Sequence, residues 1–184
     1  MHNDLLYQVA LTLVPQIGPV QARILMEYFE DAADVFKASE KKLGSIEHIG
    51  EVRANAIRKF NDFKTAEDEI AFIEKYKIKP LFIRSNDYPH RLKRCYDAPL
   101  LLYYRGNADL NHTKIISIIG TRSNTDYGKS FTEKLISELT EQQCMIVSGL
   151  AFGIDAVAHK SALQNQLPTV GVLAHGLDSI YPAQ

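Results

Sequence analysis

The sequence predicts an α/β protein: a Rossmann-like parallel sheet, truncated at the C-terminus, preceded by a small all-α domain. Two observations carry this. Residues 4–77 hold helical spacing throughout and never alternate with period two. From Lys114 onward, short apolar runs closed by glycine alternate with amphipathic stretches. The change of regime near Lys79 sets the expected division into residues 1–78 and 79–184.

The helical half has four periodic stretches. Leu5, Leu6, Val9, Ala10 and Leu13 form the first, and Ala22, Leu25, Met26 and Phe29 the second. Val52, Ala56, Ile57 and Phe60 form the third, and Ala66, Ile70, Ile73 and Tyr76 the fourth. Within them LVPQIGPVQARIL (13–25) and IEHIGEVRANAI (46–57) share a form, with Ile17-Gly18 matching Ile49-Gly50 and Ala22 matching Ala54. The pair resembles a tandem helix-hairpin-helix. A glycine turn there frees N–H groups at the second helix for a phosphate. Each hairpin has one turn glycine and acids such as Glu47 and Glu51 beside it, so a packing or partner-binding role is equally compatible.

KPLFI (79–83) and PLLLYYRGN (99–107) read as strands around the basic, turn-rich loop SNDYPHRLKRCYDAP. IISIIG (115–120), CMIVSG (144–149) and PTVGVLA (168–174) read as buried parallel strands. TDYGKSFTEKLISELTEQ (125–142) and GIDAVAHKSALQNQ (153–166) read as the helices between them, the first burying Phe131, Leu135, Ile136 and Leu139. Such a β-α-β-α-β run implies right-handed crossovers. A sheet of this kind needs further strands, so the chain is expected to be part of a longer protein.

Composition narrows the function. With 46% hydrophobic and 23% charged residues, the 184-residue chain can bury a core. No apolar run reaches the roughly 20 residues that span a bilayer, and the N-terminus has no secretory pattern. Cys95 and Cys144 lie far apart and in no metal spacing, as reduced thiols of a cytoplasmic protein would. Net charge is −1, but residues 1–78 carry 10 Lys+Arg against 13 Asp+Glu and residues 79–184 carry 11 against 9. A polyanion site must therefore be local.

The strand ends supply one. Gly120-Thr121-Arg122-Ser123 follows the first parallel strand, and Ser148-Gly149-Leu150-Ala151-Phe152-Gly153-Ile154-Asp155 ends the second and opens a helix. These are carboxyl ends of neighbouring strands, where open α/β sheets bind ligands. Gly120 and Gly149 would let a ligand approach the backbone, the helix opened by Gly153 would face an anion with its N–H groups, and Arg122 would grip a phosphate. Thr121, Ser123 and Ser148 also suit plain loop hydrogen bonding. Asp155 suits a cap or brace, His159 a satisfied structural histidine, and Lys129 and Lys160 solvated helix surface. The spacing is not the dinucleotide fingerprint, and there is no Walker A lysine, nucleophile elbow or metal-ligand cluster. No cofactor and no metal are expected.

Four segments together resemble the DprA/Smf family: the D-Y-P to R-G-N stretch (87–107), I-I-G-T-R-S…Y-G (118–128), S-G-L-A-F-G-I-D-A-V-A-H (148–159) and G-L-D-S-I-Y-P (176–182). The resemblance implies a non-enzymatic single-stranded DNA-binding protein that protects incoming DNA and loads RecA in natural transformation. It also implies a homodimer in the full-length protein. The DNA-binding residues it implies are Gly120, Thr121, Arg122, Ser123, Ser148, Gly149, Leu150, Ala151, Phe152, Gly153 and Asp155. Position 152 is often basic in the family, and Phe152 offers stacking instead. The family's later pocket lysine and its self-association surface would lie beyond Gln184, as would any winged-helix domain. A nucleotide-binding Rossmann enzyme of the phosphoribohydrolase type is the alternative, and a protein-interaction role for the acidic helical half a third reading.

Overall fold

A computed structural model describes residues 2–179. The chain forms two compact units, Met1–Gly106 and Asn107–Gln184. The first opens with six helices among the described residues, α1 (His2–Leu13), α2 (Pro19–Tyr28), α3 (Ala32–Lys37), α4 (Glu40–Gly44), α5 (Gly50–Lys59) and α6 (Phe63–Lys75). They are followed by an antiparallel pair, β1 (Lys79–Phe82) and β2 (Leu101–Tyr104), with the one-turn helix α7 (His90–Lys93) between the strands. The short helices α3 and α4 fill the interval between the second and third periodic stretches, and α4 is capped by the Ser39 side chain, which accepts from Lys42 N–H.

The units divide after Gly106, later than the change of sequence regime at Lys79, and the reason is packing. Phe82 of β1 and Leu101 of β2 join Val9, Ala10 and Ala66 of the helical core. Around them Tyr7, Phe36, Phe60 and Phe63 form an aromatic cluster, with ring centroids 5.4 Å apart for Phe60–Phe63 and 5.9 Å for Phe36–Phe60. Two arginines staple the strand connection to α2. Arg84 donates to the carbonyls of Met26 in the last turn of that helix and of Phe29 and Glu30 just past it. Arg23 donates to the carbonyls of Lys93 (3.2 Å) and Cys95 (3.0 Å).

The two Ile-Gly turns share their buried residues but not their geometry. Ile17 and Ile49 are both buried, as are Ala22 and Ala54. Gly18 is an extended N-cap (φ −90°) whose N–H donates to Gln21, and Pro19 at the next position has no N–H. Gly50 is the first helical residue and has φ +68°.

The second unit is the expected alternation: β3 (Ile115–Ser117), α8 (Asp126–Glu138), β4 (Met145–Ser148), α9 (Ile154–Gln164) and β5 (Thr169–Gly171). The strands are parallel in the order β3-β4-β5. Ile116 of β3, Ile146 of β4, Ile136 of α8, and Ala158 and Ala162 of α9 share one core, so both helices cover the same sheet face. Two expectations fail in detail. Phe131 is 56% exposed, because the inward stripe of α8 runs through Thr132, Ile136 and Leu139, with the Thr132 hydroxyl satisfied by the Gly128 carbonyl. Ile119 is 81% exposed, because β3 stops at Ser117 and the apolar run continues past the strand end. Ile180, Tyr181 and Pro182 of the last family segment lie outside the described residues.

Ile146→Ala should destabilise the protein by about 3 kcal/mol through the cavity it leaves, while Leu163→Ala, on the exposed side of α9, should change it by less than about 0.5 kcal/mol; denaturant titration reads both.

Alkaline titration tests the hairpin connection. Tyr88 is buried and its phenol donates to the Pro99 carbonyl at 2.6 Å. Burial, helped by the neighbouring Cys95 and opposed by Arg23, pushes its pKa from 10.0 to about 12. The unfolded phenol then ionises first, so stability is full below pH 10 and falls as pH rises toward 12. Tyr88→Phe should remove this residue's share of that fall. Part of the loss remains, since burial and Glu69 raise Tyr103 as well. At neutral pH the variant should cost about 1 kcal/mol, for the unpaired Pro99 carbonyl.

Candidate nucleic-acid interface

The expected site residues meet at the carboxyl ends of β3 and β4, which are hydrogen-bonded neighbours. The glycines there are closely packed by protein atoms. A Cβ on Gly120 would fall 2.6 Å from Cβ of Ile154. One on Gly149 would fall 2.6 Å from Oδ2 of Asp155. One on Gly153, whose φ is +82°, would fall 2.1 Å from the Thr121 carbonyl oxygen and 2.6 Å from the Arg122 carbonyl carbon. The space a side chain would take is filled by protein. These glycines let one strand-end loop and the start of α9 press against the other loop.

That contact consumes a helix N–H as well. Ile154 N–H donates to the Thr121 carbonyl at 3.1 Å. The N–H groups of Asp155 and Ala156 meet no acceptor among the described residues. Thr121 closes a small turn, its hydroxyl accepting from Ser123 N–H at 3.2 Å. Thr125 caps α8 by accepting from Gly128 N–H at 3.1 Å. Arg122 stands on this braced backbone with its side chain exposed, and among the described residues it meets no carboxylate. It is the single arginine in residues 107–184.

The remaining expected residues split by burial. Thr121, Ser123, Leu150 and Phe152 are exposed, Phe152 by 55%. Ala151 is half-buried, and Leu150 lies against Gly171 at the end of β5. Ser148 is buried and donates to the Ile118 carbonyl at 2.6 Å, tying β4 to β3. Asp155 is only 6% exposed and braces the loop by packing against Gly149, and among the described residues its Oδ1 meets no donor. A carboxylate in the first turn also occupies part of the field that an anion would use.

His159 is satisfied, as its helix position suggests, and its partners matter. Nε2 donates to the Gly149 carbonyl at 2.6 Å, since a carbonyl only accepts. Nδ1 lies 2.7 Å from the Thr169 hydroxyl, itself 3.0 Å from the Ile146 carbonyl. His159 and Asp155, one helical turn apart on α9, therefore hold Gly149 from two sides. Sequence reasoning passed over Ile154, Thr169 and Gly171 as parts of this construction. The i, i+4 spacing of Asp155 and His159 was its only local signal.

The charge balance also resolves. Residues 79–106 carry 6 Lys+Arg against 2 Asp+Glu, and residues 107–184 carry 5 against 7. The positive excess of the second half thus belongs to the hairpin, and Arg122 is a local cation in a net-negative unit.

Gly153→Ala should destabilise the protein by more than about 2 kcal/mol, combining a disfavoured φ with a backbone clash that no side-chain rotation relieves. Amide exchange should quicken at Ile154, which donates across the same contact.

Comparison with known proteins agrees with this architecture. The family profile described as DNA recombination-mediator protein A matches residues 79–184. Protein Smf of Synechocystis is 35% identical over 190 residues, covering all of this chain and 47% of that protein. The DNA processing protein DprA of Streptococcus pneumoniae is 39% identical over 144 residues, covering 78% of this chain and 50% of that one. The X-ray structure of DNA processing protein A (DprA) from Streptococcus pneumoniae matches with a TM-score of 0.55 and 31% identity, over 82% of this chain and 59% of the other. The chain spans about half the length of these curated relatives. It belongs to the DNA recombination-mediator protein A family, the DprA/Smf proteins.

Proposed function

We propose that the carboxyl ends of β3 and β4 bind single-stranded DNA, and that the protein mediates recombination of incoming DNA in natural transformation. In this reading it protects the strand and loads RecA as a cytoplasmic homodimer, by binding and not by catalysis. The observation that carries the reading is Arg122: an exposed guanidinium, unpaired among the described residues, on a loop whose backbone is locked by Gly153 and Ile154. A guanidinium so placed is preorganised for phosphate. Membership of the family and the names of its DNA-processing relatives support the same reading.

Roles divide by exposure. Thr121, Arg122 and Ser123 would contact phosphates, with the free N–H groups at the start of α9. Phe152 and Leu150 would meet bases, which stack on aromatic or apolar faces with little sequence preference. Gly120, Ser148, Gly149, Ala151, Gly153 and Asp155 would shape the loops and not touch the strand by side chain. The buried pairs Ile17/Ile49 and Ala22/Ala54 support the tandem helix-hairpin-helix reading of the first half as a packing unit. Pro19 leaves its first turn poor in donors.

Fluorescence anisotropy with single-stranded and duplex oligonucleotides tests this. Single strands should be preferred, with affinity falling as salt rises. Arg122→Ala should weaken binding about 10-fold or more, the worth of a charged hydrogen bond, and reduce the salt slope by about 0.7. Absence of single-strand binding at low salt, or indifference to Arg122→Ala, would refute the assignment.

A further inference from the structure

The densest positive charge along the chain falls in the hairpin of the first unit. Between Pro89 and Ala98 stand Arg91, Lys93 and Arg94 against the single acid Asp97, within a hairpin segment that carries 6 Lys+Arg and 2 Asp+Glu. All four of these side chains are exposed, and Tyr96 beside them is 78% exposed. Among the described residues neither Lys93 nor Arg94 meets a carboxylate.

The backbone beneath them is held in place. Buried Tyr88 donates to the Pro99 carbonyl, so the two ends of the segment are tied together. Arg23 donates to the Lys93 and Cys95 carbonyls, which consumes the acceptors at the end of α7. Cys95 N–H donates to the Leu92 carbonyl at 2.9 Å, and Lys93 N–H to that of Pro89 at 2.9 Å. Core packing accounts for Tyr88 and Ala98 but not for Lys93, Arg94 or Tyr96. Two cations without a carboxylate partner among the described residues, next to an exposed ring on a hydrogen-bonded turn, match a polyanion that also presents flat apolar faces. Single-stranded nucleic acid is such a partner: phosphates meet the cations and an unpaired base stacks on the ring. A duplex, with its bases already stacked, has no use for Tyr96.

Resting on the single-strand reading of the strand-end loops, we propose that the turn Arg91–Tyr96 is a second contact for single-stranded nucleic acid, with Lys93 and Arg94 on phosphates and Tyr96 under a base. Its phosphate and base contacts come in addition to those of Arg122, and they draw on the net-positive hairpin of the first unit.

The test compares Lys93→Ala/Arg94→Ala, Tyr96→Ser and Arg122→Ala in the whole chain. The probe is a deoxyoligonucleotide carrying 5-iodouracil. Near-ultraviolet circular dichroism checks that each variant is folded. Removing Lys93 and Arg94 should lower the salt slope of single-strand binding by about 1.4, two phosphates at about 0.7 each. Irradiation should cross-link the probe to Tyr96, recovered in the tryptic peptide Cys95–Arg105, and Tyr96→Ser should abolish that adduct. If slope and affinity are unchanged and no adduct falls on Cys95–Arg105, while Arg122→Ala still weakens binding, the second contact is disproved and the strand-end site stands. If the turn variants weaken binding and Arg122→Ala does not, the turn is the site and the strand-end reading fails. Equal loss for duplex and single strand, or capture of an acidic peptide in preference to the oligonucleotide, also overturns the proposal.

Discussion

The second unit depends on one close approach, that of Gly153 to the backbone of Thr121 and Arg122. A Cβ at residue 153 would fall 2.1 Å from the Thr121 oxygen, so the approach exists only because there is none. Much follows from it. Ile154 N–H reaches Thr121, Ile154 fills the space over Gly120, and Asp155 and His159 close on Gly149. Two loops that a parallel sheet merely places side by side become one rigid rim. Arg122 then points outward from a backbone that has already lost its conformational freedom, and rigidity of that kind lowers the cost of binding.

The first unit uses a different device for a similar end. Its strand connection is tied to α2 by reciprocal arginines, Arg23 on carbonyls at the end of α7 and Arg84 on carbonyls at the end of α2. Guanidinium groups suit this because one side chain can satisfy several orphan helix-end carbonyls. These two arginines are thereby spent on structure, while Lys93 and Arg94 are presented to solvent. This division of labour among basic residues shows only in three dimensions.

Element type was legible in the sequence almost throughout. The helical stretches, the two β-prone segments and the β-α-β-α-β run all stand where their periodicity puts them. Where the reading slipped, a neighbour decided. Phe131 scores as apolar on α8, but Thr132 is the residue facing the sheet, since its hydroxyl can bond the Gly128 carbonyl and vanish into the core. Ile119 belongs to an unbroken apolar run, yet the strand ends before it. The hairpin contributes Phe82 and Leu101 to the helical core.

The sequence by itself determined the alternation of elements, the parallel sheet, and the coincidence of Gly120, Arg122, Gly149 and Gly153 at its carboxyl end. These follow from local periodicity and from chain connectivity. Only the tertiary structure decided what each glycine is for, because a missing side chain acquires meaning from the atom that occupies its place. Here that atom belongs to Ile154, Asp155 or Thr121. Tertiary structure also decided which cations are free. A charge is available to a ligand only when no carbonyl or carboxylate of the fold has claimed it, and those partners lie far away along the chain.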